Sequence, residues 1–147
     1  IMVKKEDIIN FVSSWKNGIL NIGNIYKKGG DYKKEADLFL KRHYLFDSED
    51  VLFKPTLTSE IIFRNSFESA KSYFVKGEID EDKGFAIQNW QSIELLELNT
   101  IIEENLTIAM GKICFKSDQV TNVAFTFVLK NIDSELKIKV HHSSLIQ

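Results

Sequence analysis

Residues 4–28 place Ile8, Phe11, Val12, Trp15, Ile19, Ile22 and Tyr26 at gaps of three and four. That spacing brings side chains back to one side of a 3.6-residue turn, so it predicts a long helix with a single apolar stripe. Lys27 and Lys28 suit the negative end of its dipole, and Gly29-Gly30 stops it. Asp31 then caps a second helix, in which Tyr32, Ala36, Phe39, Leu40 and His43 share a face. This helix should end near Phe46, ahead of the turn Asp47-Ser48-Glu49-Asp50. Val51-Leu52-Phe53 reads as a short strand closed by Pro55, which has no N–H for a ladder. Phe63, Phe67, Ala70 and Phe74 predict a third helix, capped by Thr58 or Ser59 and running to about Phe74.

After a charged loop from Gly77 to Gly84 the period changes from 3.6 to 2. Four long strands are predicted at about 85–98, 104–116, 120–131 and 135–144, with turns at Asn99-Thr100, Ser117-Asp118 and 131–134. In the third of them Val123, Phe125, Phe127 and Leu129 alternate with Ala124, Thr126 and Val128. Both faces are therefore apolar, and neither simply faces water. With the helices on one side, a second copy of the chain is the economical cover for the other: a homodimer through the outer face of the sheet. Helices first and a meander of long strands afterwards make an α+β arrangement with segregated layers. The expectation is a single domain over residues 1–147, with helices packed on a strongly curved antiparallel sheet and a pocket between them.

Composition narrows the partners. A hydrophobic share of 44% with eleven Phe supplies a sizeable core. The balance of 19 basic to 21 acidic residues, with no concentrated basic stretch, argues against nucleic acid. No apolar run approaches the ~18–20 residues of a bilayer span, so no membrane partner is expected. Cys114, the single cysteine, lies between Ile113 and Phe115 and is expected to pack as a small hydrophobe. No apolar leader follows the opening Ile-Met-Val-Lys-Lys-Glu-Asp, although Ile before Met fits a trimmed start. Cytoplasmic location and export after removal of a signal both stay open.

The order of elements resembles the nuclear transport factor 2-like superfamily, a cystatin-like cone that also includes ketosteroid isomerases, polyketide cyclases and the association domain of calcium/calmodulin-dependent kinase II. The segments Val51-Leu52-Phe53-Lys54-Pro55-Thr56, Ser72-Tyr73-Phe74, Asp82-Lys83-Gly84-Phe85-Ala86-Ile87, Trp90 and the closing His141-His142-Ser143-Ser144 resemble a bacterial subfamily of that fold. The closing histidine-serine strand is also similar to the last strand of the kinase association domain. The resemblance implies a homodimer through the outer sheet face and a pocket at the wide end of the cone. It implies no particular reaction, because the fold hosts enzymes, binders and assembly modules alike.

His142 is the candidate catalytic residue. Along Leu136, Ile138, Val140, His142 and Ser144 the even positions continue a face that is apolar upstream, which aims His142 into the cone and His141 away from it. A histidine there could exchange a proton near neutral pH. Adjacent histidines on opposite faces cannot share an ion, and no metal or cofactor is expected. Arg64 has Glu68 four residues on, which suits a helix-surface ion pair. The resemblance raises an alternative, in which Arg64 grips a ligand carboxylate or phosphate bidentately. Trp15 and Tyr44 on the helical side, with Tyr73 and Trp90 beside the Lys83 loop, carry polar tips suited to a pocket wall. Asp37 and Asp47 fall on no apolar face, which disfavours a ketosteroid-isomerase base. The expected function is a small-molecule-binding domain for a small anionic ligand, with lyase, isomerase and hydrolase chemistry open. The alternative is a non-catalytic, homo-oligomeric association module.

Overall fold

The computed structural model describes residues 2–147. Helix α1, Lys5–Lys27, buries the predicted stripe from Ile8 to Ile22. It closes at Gly29, whose φ of 77° suits glycine, while the Gly30 N–H donates to Ile25 O at 2.9 Å. Helix α2, Tyr32–His43, begins where the Asp31 carboxylate accepts from the Lys34 N–H at 3.1 Å. It stops three residues short of Phe46, because Tyr44 turns extended and the Leu45 N–H donates to Ile138 O.

The third helix is half the expected length. Helix α3 spans Phe67–Val75 and is capped by Ser66, not by Thr58 or Ser59. Residues 59–61 are held away from helical pairing by the Glu81 carboxylate, which accepts their three backbone N–H groups at 2.7, 3.0 and 2.7 Å. Arg64 N–H then donates to Phe53 O, tying the segment to the sheet edge. These long-range partners outweigh a local helical pattern.

Five strands form one curved sheet: β1 (Leu52–Lys54), β2 (Ser92–Ile102), β3 (Thr107–Lys116), β4 (Val120–Ile132) and β5 (Glu135–Leu145), in the order β1-β5-β4-β3-β2. All pairs are antiparallel except β1 with β5. Strand β2 begins later than expected, because Phe85–Ile87 make a 3-10 turn and Asn89 takes a φ of 62°. The hairpin to β3 turns at residues 103–106, so Asn99-Thr100 lies within paired strand.

One irregularity decides the site. In the β4·β5 ladder Val128 faces Val140, but Leu129 faces Ile138, leaving Lys139 as an extra residue in β5. Such a bulge shifts the alternation by one position. Before Lys139 the inward residues are Leu136 and Ile138, and after it they are His141 and Ser143, which are 3% and 4% exposed. The helices cover this inner face, and their aromatic residues meet Phe53, Phe115, Phe125 and Phe127 in one core.

Candidate functional site

The end of β1, helix α3, the 3-10 turn and the inner faces of β3, β4 and β5 close a small chamber. Its walls are mostly aromatic: Trp15, Phe53, Phe74, Phe85, Phe115 and Phe125. Four polar side chains break that wall, Thr56, Tyr73, His141 and Ser143. An apolar cavity with a few convergent polar groups is the usual form of a small-ligand site. The free space is about 10 Å³, the size that holds roughly one water. Tyr73 and Phe85 also line an outer groove with Lys83, Gln88, Trp90 and Thr121, and so separate the chamber from solvent.

His141 is fixed on all sides. Its ring stacks on Phe53 at 4.6 Å between centroids, with an interplanar angle of 20°, and meets the edge of Phe127 at 4.7 Å. Nδ1 lies 2.9 Å from the Tyr44 hydroxyl, which accepts from Trp15 Nε1–H at 3.2 Å. Nε2 lies 2.6 Å from Ser143 Oγ. Burial, reinforced by the His142 and Lys54 charges, lowers the His141 pKa to about 3, so the ring is neutral at physiological pH. Burial likewise raises the Tyr44 and Tyr73 hydroxyls, which stay protonated. The Tyr73 hydroxyl accepts from Leu57 N–H at 3.2 Å, which leaves its own proton to be donated. Lys54 Nζ donates to Ser143 O at 2.9 Å and brings positive charge to this end of β5.

Several sequence expectations are overturned. His142 is exposed on the outer face, opposite Thr126 and Lys54, because the Lys139 bulge inverted the strand alternation. It does not line the chamber; His141 does. Arg64 is fully buried but lies on no helix and pairs with Asp82 rather than Glu68. Its Nη1 and Nη2 donate to the Asp82 carboxylate at 2.6 and 2.7 Å, and Nε donates to Ile61 O at 2.8 Å. The guanidinium packs near the Tyr73 ring, 6.0 Å from its centroid, and its donors face protein partners rather than the chamber. Trp15 and Tyr73 line the chamber, Tyr44 stands behind His141, and Trp90 lines the outer groove with its Nε1–H on Phe85 O. Arg64, Tyr44, Trp90 and His142 therefore do not share one cavity.

Sequence reasoning missed Thr56, His141 and Ser143. Thr56 follows Pro55 in a segment read only as a strand end, and the two β5 residues were assigned the wrong face. The third histidine, His43, is bonded elsewhere: Nδ1–H donates to Phe39 O at 2.8 Å, and Nε2 accepts from the Ser14 hydroxyl at 2.8 Å. Among the described residues no cluster of three His, Cys, Asp or Glu side chains could hold a metal ion, and no helix is long and apolar enough to cross a membrane.

Comparison with known proteins agrees with this fold. A crystal structure of the iota-carbonic anhydrase from a cyanobacterium, complexed with bicarbonate, superposes with a TM-score of 0.93 at 28% identity, over 99% of this chain and 94% of that one. An NTF2-like protein of unknown function from Shewanella oneidensis shares the fold, with a TM-score of 0.57 at 14% identity over 95% of this chain and 97% of that one. The cone expected from the order of elements is therefore the observed fold. The metal-independent carbonic anhydrase of a Nostoc species is 30% identical, over 97% of this chain and 74% of that protein. The family model for metal-independent carbonic anhydrase matches residues 6–145, and the chain belongs to that family.

Proposed function

We propose that this chain is an enzyme that interconverts carbon dioxide and bicarbonate in the chamber around His141 and Ser143. The observation that carries the reading is the 0.93 superposition on a bicarbonate-bound relative, taken with a chamber whose chemistry suits both reactants. Carbon dioxide is apolar and suits the phenylalanine walls. Bicarbonate is an oxyanion and suits the hydroxyls of Ser143, Thr56 and Tyr73. Hydroxyl donors held in a water-poor site stabilise charge developing on oxygen without reorganising first. His141 is too weakly basic to take a proton from water at neutral pH. Its part is to hold Ser143, and solvent in the outer groove is the destination of the proton released on hydration.

A cavity of about 10 Å³ must widen to admit either reactant. Tyr73 and Phe85 stand between chamber and groove and are the rings placed to turn aside. The outer sheet face, with Leu52, Ile101 and Met110 more than half exposed, supports the reading of a homodimer interface.

The test is stopped-flow hydration of carbon dioxide followed with a pH indicator. The native protein should accelerate the reaction. Ser143→Ala, with its fold checked by circular dichroism, should lose about a hundredfold in kcat, the usual cost of one oxyanion donor. A folded native protein giving only the spontaneous rate would overturn the assignment.

A further inference from the structure

We infer that Trp15 and Tyr44 are positioning residues that lock His141 in its Nε2–H tautomer, leaving the Ser143 hydroxyl proton directed at the chamber as a donor to an oxyanion. One buried chain of hydrogen bonds fixes the position of each proton in turn. Trp15 Nε1 is a donor only, so at 3.2 Å it fixes the Tyr44 oxygen as an acceptor. The Tyr44 proton then needs an acceptor of its own, and the one its hydroxyl touches is His141 Nδ1 at 2.9 Å. A neutral imidazole carries a single N–H. If Nδ1 accepts from Tyr44, the proton sits on Nε2 and is donated to Ser143 Oγ at 2.6 Å. The Ser143 oxygen is thereby an acceptor toward His141, and its own proton has no partner among the described hydrogen bonds. Ser143 lines the chamber, so the free proton belongs to whatever occupies it.

The opposite tautomer lets Ser143 donate to Nε2 and moves the one unpaired proton from the chamber wall into the aromatic core. With the proton on Nδ1, the Tyr44 oxygen would accept from both Trp15 and His141. Its own proton would then be stranded in the core, where Tyr44 is 1% exposed and ringed by Phe39, Phe46, Phe53 and Phe74. A buried donor left unpaired carries a substantial desolvation penalty. The donor-only indole at one end thus sets the direction of every bond down to Ser143. It also sets the role of Ser143, which can neither pass its proton to His141 as a nucleophile would nor accept one from water through it.

The last clause, the oxyanion, rests on the carbonic anhydrase reading; the tautomer does not. The experiment therefore measures the two separately. Long-range proton–nitrogen correlation spectra of the 15N-histidine-labelled protein, with His141 assigned by its absence in His141→Gln, report which ring nitrogen is protonated. The expected result is a protonated Nε2 and an unprotonated Nδ1. Tyr44→Phe should abolish the single tautomer and weaken bicarbonate binding about tenfold, the loss expected for one hydrogen bond. Ile22→Val, a core change on α1 outside the chain of bonds, serves as the stability control and should leave the tautomer unchanged. A native His141 protonated on Nδ1 overturns the inference even if Tyr44→Phe does not fold. So does a Tyr44→Phe spectrum identical to that of the native protein. The expected tautomer in a protein that neither binds bicarbonate nor hydrates carbon dioxide would sink the functional reading and leave the positioning role standing.

Discussion

Removing the Asp82 carboxylate should be among the most damaging single changes outside the chamber. Arg64 and Asp82 are 0% and 5% exposed and joined by two short hydrogen bonds. The same carboxylate accepts from the Ser72 hydroxyl at 2.7 Å, so it fastens α3 to the segment carrying Arg64. Asp82→Ala would strip the buried guanidinium of its two short carboxylate bonds, leaving Glu81 at 3.6 Å as its remaining ionic partner. Breaking a buried pair from one side costs about 3–5 kcal/mol, most of it the penalty on the charge left behind. With a urea m-value of about 2 kcal/mol per molar, the unfolding midpoint should fall by roughly 2 M. The pair replaced as a whole, Arg64→Met with Asp82→Leu, should recover part of that loss, because no charge is left to desolvate although Ile61 O and the Ser72 hydroxyl lose their partners. Urea titration followed by tryptophan fluorescence and circular dichroism measures all three proteins. A loss below about 1 kcal/mol in Asp82→Ala would place the pair in the range of a surface contact and refute the reasoning. A double variant no better than the single would refute it too.

Stability should also depend on pH through the two buried rings. His43 and His141 have pKa values lowered from 6.5 to about 4 and about 3 by burial, so between those limits the unfolded chain binds the additional protons. Their contribution is present in full above pH 6.5 and is lost as pH falls, at about 1.4 kcal/mol per pH unit for each ring; His43→Gln should flatten the profile, and urea midpoints unchanged between pH 7 and pH 5 would contradict it. For the outer face, light scattering at micromolar concentration should give the mass of a dimer, and Val128→Lys or Ala124→Lys should give a folded monomer. A monomeric native protein would remove the case for that interface.

The helical half of the fold was legible because α1 and α2 bury their own periodic stripes, and local signals close the first at Gly29 and start the second at Asp31. The stretch before α3 was not. Phe63 fits a helical spacing with Phe67, yet its segment answers to Glu81 and Asp82, about twenty residues away, through bonds that no window of neighbouring residues contains. The site failed for a related reason. Strand alternation is a count of parity, and it is valid only up to the first bulge. Lys139 adds one residue to β5, and the same rule that placed Leu136 and Ile138 inward then places His142 inward in error. Its side chain gives little warning, since a lysine suits the surface in either register and here finds Glu49 at 3.1 Å. What the sequence did carry was the pair His141 and Ser143, two polar residues at a spacing of two, with partners on separate elements. The His141 ring is bonded on one side by Tyr44, just past the end of α2, and on the other by Ser143, so the pair can be buried at all. A polar site inside an aromatic core has to depart from the binary pattern that builds the core, and the bulge is the backbone device that makes the departure here.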